Sequence, residues 1–102
     1  MPLTVELRFE YSDRPYDKLL PCGGFLNHGL PEMEAAAYPI LGAIDRYGST
    51  AFNYLQMDEF LRGWDTLDLT RLTAEQALDA AKLRRMAVRC KNDRLLLWFE
   101  GD

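Results

Sequence analysis

The chain has 102 residues, of which 48% are hydrophobic and 27% charged, and its formal net charge is -4. This is the size and make-up of one globular domain, 1–102, long enough to bury one core without disulfide staples. The negative balance repels phosphate and disfavours general nucleic-acid binding. No apolar run approaches the length of a membrane-spanning helix, so no membrane partner is expected. Charge is uneven: residues 1–69 carry 5 basic and 11 acidic side chains, net -6, and residues 70–102 carry 7 and 5, net +2.

"LTVELRF" alternates Leu3, Val5, Leu7 and Phe9 with polar neighbours, the period of a strand with one buried face. Glu6, Arg8 and Glu10 then mark a solvent face. "YSDRPYDKLLPCGGFLNHGLPEM" is broken by Pro15, Pro21, Pro31, Gly23, Gly24 and Gly29, yet Leu19, Leu20, Phe25, Leu26 and Leu30 need cover. The expectation is an ordered loop region with a short strand near Asp17–Leu20. Pro31 opens a helix that ends near Tyr38, and a further helical turn is expected at Ile40–Ile44.

"STAFNYLQ" is ambiguous between a strand and the lead-in to a helix, and Thr50, Phe52 and Tyr54 favour the strand by propensity. "MDEFLRGWDTL" places Met57, Phe60, Leu61, Trp64 and Leu67 on one helical stripe. In "TAEQALDAAKLRRMAVRCKND", Thr73 and Gln76 have capping-box spacing. Leu83, Met86, Ala87 and Cys90 share an apolar face, and Asn92 is the expected left-handed terminator.

The final "RLLLWFEGD" has five consecutive apolar residues, too few for another helix. It predicts a strand covered on both faces, central in the sheet and next to the N-terminal strand, with Trp98 and Phe99 in the core. The fold class expected is α+β: a small antiparallel or mixed sheet that includes adjacent N- and C-terminal strands, with two main helices packed on it.

Candidate chemistry is sparse. Cys22 and His28 stand close in the chain, as a thiol nucleophile and its base would, and Asp17 or Asn27 could orient the ring. The competing reading is a turn histidine beside a partly buried thiol. Cys22 and Cys90 do not make a disulfide scaffold, although one bridge between them stays open. One His and two separated Cys do not make a zinc set, and no phosphate-cradling glycine loop occurs, so no metal or cofactor is expected. Lys82, Arg85 and Arg89 align at helical spacing as a basic stripe, with Arg84 and Lys91 alongside. It reads as a nucleic-acid face or, in view of the overall charge, as a solvated face near its own negative helix end.

Phe52-Asn53-Tyr54-Leu55-Gln56-Met57, the Cys90 helix and the ending Leu97-Trp98-Phe99-Glu100-Gly101-Asp102 resemble a group of small uncharacterised bacterial proteins with an F-N-x-L-Q-M stretch and an L-W-F-x-G-D C-terminus. The likeness covers the second half of the chain. It implies a small cytosolic domain and carries over no activity.

The functional expectation is a small acidic non-catalytic protein-binding protein of the cytoplasm, most concretely an immunity protein inhibiting a bacterial toxin. Its partner would be another protein with a basic toxin domain. Tyr11, Asp13, Tyr16, Asp17, Glu32, Glu34 and Tyr47 are the expected contact residues: acids for steering, and tyrosines as large anchors of low entropy cost. The alternatives are a small enzyme or ligand-binding protein using the Cys22/His28 loop, and a structural self-assembling protein. Oligomeric state is left open.

Overall fold

The computed structural model describes residues 4–9, the backbone of 15–19, and residues 39–45, 48–70 and 72–101. Strand β1 spans Thr4–Arg8 and β2 spans Pro15–Leu19; β3 spans Ser49–Asn53. Helix α1 is Met57–Trp64, α2 is Ala74–Asp93, and β4 is Leu96–Glu100. The four strands form one antiparallel sheet in the order β2-β1-β4-β3. The N-terminal strand therefore lies beside the C-terminal one, as an α+β fold with adjacent terminal strands requires.

Strand β1 pairs with β4 from Thr4↔Glu100 to Arg8↔Leu96, and β3 pairs with β4 from Ser49↔Glu100 to Asn53↔Leu96. A side-chain period of two sends Val5, Leu7, Phe52, Leu97 and Phe99 to one face. There they meet Met57, Phe60 and Trp64 from α1, and Ala80, Leu83, Met86, Ala87 and Cys90 from α2, all buried. Each large side chain removed from water this way contributes about 1.5–3 kcal/mol. At the centre Phe52 meets Phe99 edge-on, with ring centroids 5.9 Å apart and planes at 70°. Phe60 stacks on Trp64 one helical turn away, at 6.0 Å.

The local devices that start and stop these elements are visible. "STAFNYLQ" holds both predicted alternatives in succession: strand β3, then a single 3-10 turn at Tyr54–Gln56 that leads into α1. Asn53 caps that turn, accepting from the Leu55 N–H at 3.0 Å, while Gln56 Oε1 accepts from the Asn53 N–H at 2.9 Å. At α2 the predicted capping box is present: Thr73 Oγ1 accepts from the Gln76 N–H at 3.1 Å, and Gln76 Oε1 accepts from the Thr73 N–H at 3.0 Å. The helical turn expected near Ile40–Ile44 is a 3-10 turn at Leu41–Ala43. The short strand expected near Asp17–Leu20 is β2, displaced by about a residue or two toward Pro15. The helix expected from Pro31 to Tyr38 falls outside the described residues.

Two expectations are corrected. Helix α2 does not stop at Asn92. It continues to Asp93, and the left-handed residue is Arg94, at φ 56 and ψ 52. The physical reason is the core: the chain must reverse so that Leu95, 3% exposed, enters the apolar interior directly after Cys90. The Arg94 and Leu95 N–H groups both donate to the Cys90 carbonyl. The last strand is not buried on both faces either. Leu97 and Phe99 are fully buried, whereas Leu96 and Trp98 are only half-buried, because both helices that pack on β4 among the described residues lie on the Leu97 side. Phe99 is core, as expected; Trp98 is on the other face.

Candidate functional site

The sheet face opposite the helices carries Thr4, Glu6 and Arg8 from β1, Leu96, Trp98 and Glu100 from β4, and Ser49, Ala51 and Asn53 from β3. Register puts Glu6, Trp98 and Ala51 in one row across three strands. The Arg8 guanidinium lies over the Trp98 indole, 4.2 Å from its centroid, and its Nε donates to Glu6 Oε2 at 2.7 Å. The indole Nε1–H donates to Glu100 Oε2 at 2.7 Å, and the Ser49 hydroxyl donates to the same oxygen at 2.6 Å.

Cation, ring and carboxylates thus form a connected surface whose rotamers are held by one another. The Ser49 hydroxyl and the Trp98 indole hold the Glu100 carboxyl below the usual range, with a smaller contribution from the Arg8 charge. Glu100 is therefore ionised at neutral pH and acts as an acceptor, not as a proton donor. The arrangement can bind and orient a polar partner.

Cys90 is buried, and its Sγ–H donates to the Leu95 carbonyl at 3.1 Å. Burial pushes the thiol up to about 12, far from the thiolate a nucleophile requires. Among the described residues no group of three or more His, Cys, Asp or Glu is placed to hold a metal ion. No helix among them is long and apolar enough to cross a membrane.

The basic side chains of α2 fall into two groups. Arg84 makes a bidentate pair with Asp65, at 2.8 Å for both Nε and Nη2, and Lys91 reaches Asp58 at 2.6 Å. Both tie α2 to α1 or to the turn after it. The Arg84 hydrogen bonds hold the Asp65 carboxyl low. Lys82, Arg85 and Arg89, with Val88 and Asn92, border a shallow depression of about 560 Å³.

The residues expected to contact a partner are not gathered by the described structure. Tyr11, Asp13, Glu32, Glu34 and Tyr47 lie outside the described residues, as do Cys22 and His28. Tyr16 and Asp17 fall within β2, where the Asp17 backbone pairs with Leu7. The Arg8–Trp98–Glu100 cluster escaped sequence reasoning because "LLLWF" conceals its own alternation: both faces of β4 carry apolar side chains. The available clue was Glu100, two residues after Trp98 and so on the same strand face.

Among the described residues the fold is α+β, with two helices on one face of a four-stranded antiparallel sheet. Comparison of the chain with protein-family models, with curated proteins and with solved structures finds no significant match in any of the three.

Proposed function

We propose that this chain acts by binding another protein rather than by turning over a substrate, and that it is an immunity-type inhibitor of a bacterial toxin in the cytoplasm. The observation that carries the reading is the pre-ordered surface on the outer sheet face. Trp98 is half-buried there, held by Arg8 on its ring and by Glu100 on its Nε1–H. Tryptophan and arginine are the side chains on which binding energy most often concentrates, and little entropy remains to be lost when they are already fixed.

The charge pattern supports a basic partner. Residues 1–69 carry net -6, and a basic cleft would be drawn to them at a rate that falls with salt. In this reading Tyr11, Asp13, Tyr16, Asp17, Glu32, Glu34 and Tyr47 supply the rest of the contact.

The test is to express the chain together with the product of the gene neighbouring its own, and then to titrate the purified pair. Wild type should restore growth. Trp98→Ala, if the indole is an anchor worth about 2 kcal/mol, should weaken binding about 30-fold. Failure of the wild-type chain both to rescue growth and to bind the purified neighbour would refute the proposal.

A further inference from the structure

Among the described residues strand β3 ends the sheet, and no strand pairs with its outer side. The Gly101 N–H donates to the Gly48 carbonyl at 2.7 Å, which makes those two residues a hydrogen-bonded pair. Opposed residues in an antiparallel ladder alternate between bonded and non-bonded pairs, and the register runs on unshifted to Asn53↔Leu96. Thr50 and Phe52 therefore direct their backbone groups at β4. Ser49, Ala51 and Asn53 direct theirs outward.

The Asn53 N–H bears this parity out, since Gln56 Oε1 takes it. Ser49 and Ala51 are exposed. Edge strands are ordinarily blunted by charge, proline or a bulge; "STAFN" has none of these. The opposite edge does have such protection. Strand β2 opens on Pro15, and its pairing with β1 is broken by a register shift between Leu7 and Arg8.

We propose that β3 pairs antiparallel with β3 of a second copy of this chain, about a twofold axis through Ala51, joining two sheets into one of eight strands. At the axis each Ala51 N–H donates to the Ala51 carbonyl of the other copy. On either side a Ser49 N–H donates to an Asn53 carbonyl, while the Gln56 cap on Asn53 stays in place.

The strand is complementary to itself. Ser49 faces Asn53, Thr50 faces Phe52, and the two Ala51 methyls meet between the two Trp98 rings in a continuous row. No charged side chain of one β3 faces a like charge on the other, although the whole chain is acidic. A charged partner strand would find no counter-charge on β3, which is why a second copy fits this edge better. The contact is isologous, so it closes at the dimer and does not propagate. It is independent of the toxin reading, because it uses the strand edge and leaves the Arg8–Trp98–Glu100 face uncovered.

Sedimentation equilibrium across a wide concentration range tests this pairing. Wild type should pass from the 11.8 kDa chain mass to twice that value. Ala51→Pro removes an outward N–H and no bond to β4, and Ala51→Lys sets two like charges on the axis. Each should weaken the dimer at least tenfold with an unchanged far-ultraviolet circular dichroism spectrum. Should Ala51→Pro fail to fold, Ala51→Lys decides, since its side chain points into solvent in the monomer. The Ser49 and Ala51 amides should exchange more slowly as wild-type concentration rises. A wild type monomeric throughout, an Ala51→Lys variant as dimeric as wild type, or a mass beyond the dimer would overturn the proposal.

Discussion

Adjacent residues of β4 offer a sharp test of the architecture, because Trp98 and Phe99 lie on opposite faces of a five-residue strand. Phe99 is 0% exposed, and its ring lies 5.9 Å from Phe52 and 6.3 Å from Phe60. Phe99→Ala removes the phenyl ring from the meeting point of the sheet and α1, where the backbones of β1, β3 and β4 cannot close the space. Truncations of this kind cost about 3–5 kcal/mol. A domain of this length has a total stability on the order of 5–15 kcal/mol, so the loss consumes a large share of it. At about 4–8 °C per kcal/mol, the melting temperature should fall by roughly 20 °C.

Trp98→Ala deletes a larger side chain from the half-buried face and opens no enclosed cavity. It should cost about 1–2 kcal/mol, made up of lost area and the Arg8 contact. Urea denaturation followed by circular dichroism reads both variants, with an unchanged slope confirming that the comparison is one of stability. The reasoning fails if Phe99→Ala costs less than about 1 kcal/mol, or if Trp98→Ala is the more damaging of the two. Either result would mean that β4 is turned over relative to the core, the consequence of a one-residue slip.

Three further outcomes are expected. Arg94→Gly should raise stability by a few tenths to about 1 kcal/mol, because glycine adopts the left-handed conformation at φ 56 without strain; thermal melts check it. Cys90 should resist a thiol-specific reagent in the native protein at neutral pH and react at the rate of opening, since burial pushes its pKa up to about 12; a rate matching that of a free thiol would contradict the packing. Glu100, held below its ordinary value of 4.5, stabilises the fold above that pH and loses its contribution as the pH falls through the lower native value. The Trp98 indole N–H resonance should report this with a midpoint below 4.5, and Ser49→Ala should move the midpoint back up.

The elements whose sequence and structure agree are those governed by near neighbours in the chain. The alternation through Val5 and Leu7 needs no knowledge of what covers it, because the strand period alone sends every second residue to one face; on the other face Glu6 and Arg8 are partly covered, their side chains 13% and 20% exposed. The Thr73–Gln76 box closes within one turn, so its geometry is contained in four residues. The stripe Met57, Phe60 and Trp64 is set by the helical period alone, and all three are buried. "STAFNYLQ" differs: propensity favours its strand, but Phe52 is fixed there by packing on Phe99, far away in sequence, as well as on the nearer Phe60, and the Asn53–Gln56 cap then turns the chain into α1.

The candidate site was the least legible part, for the same reason. Arg8, Ser49, Trp98 and Glu100 come from three strands, and only register brings them together. The sequence by itself determined the α+β class, the capped second helix and the strand character of both ends, since these follow from period, capping and apolar runs. Only the tertiary structure decided which face of β4 is core, where α2 stops, and that Trp98 belongs to a surface cluster. Those outcomes depend on packing partners distant in the chain: the helices cover one face of the sheet, and Leu95 must leave α2 in time to reach the core beneath them.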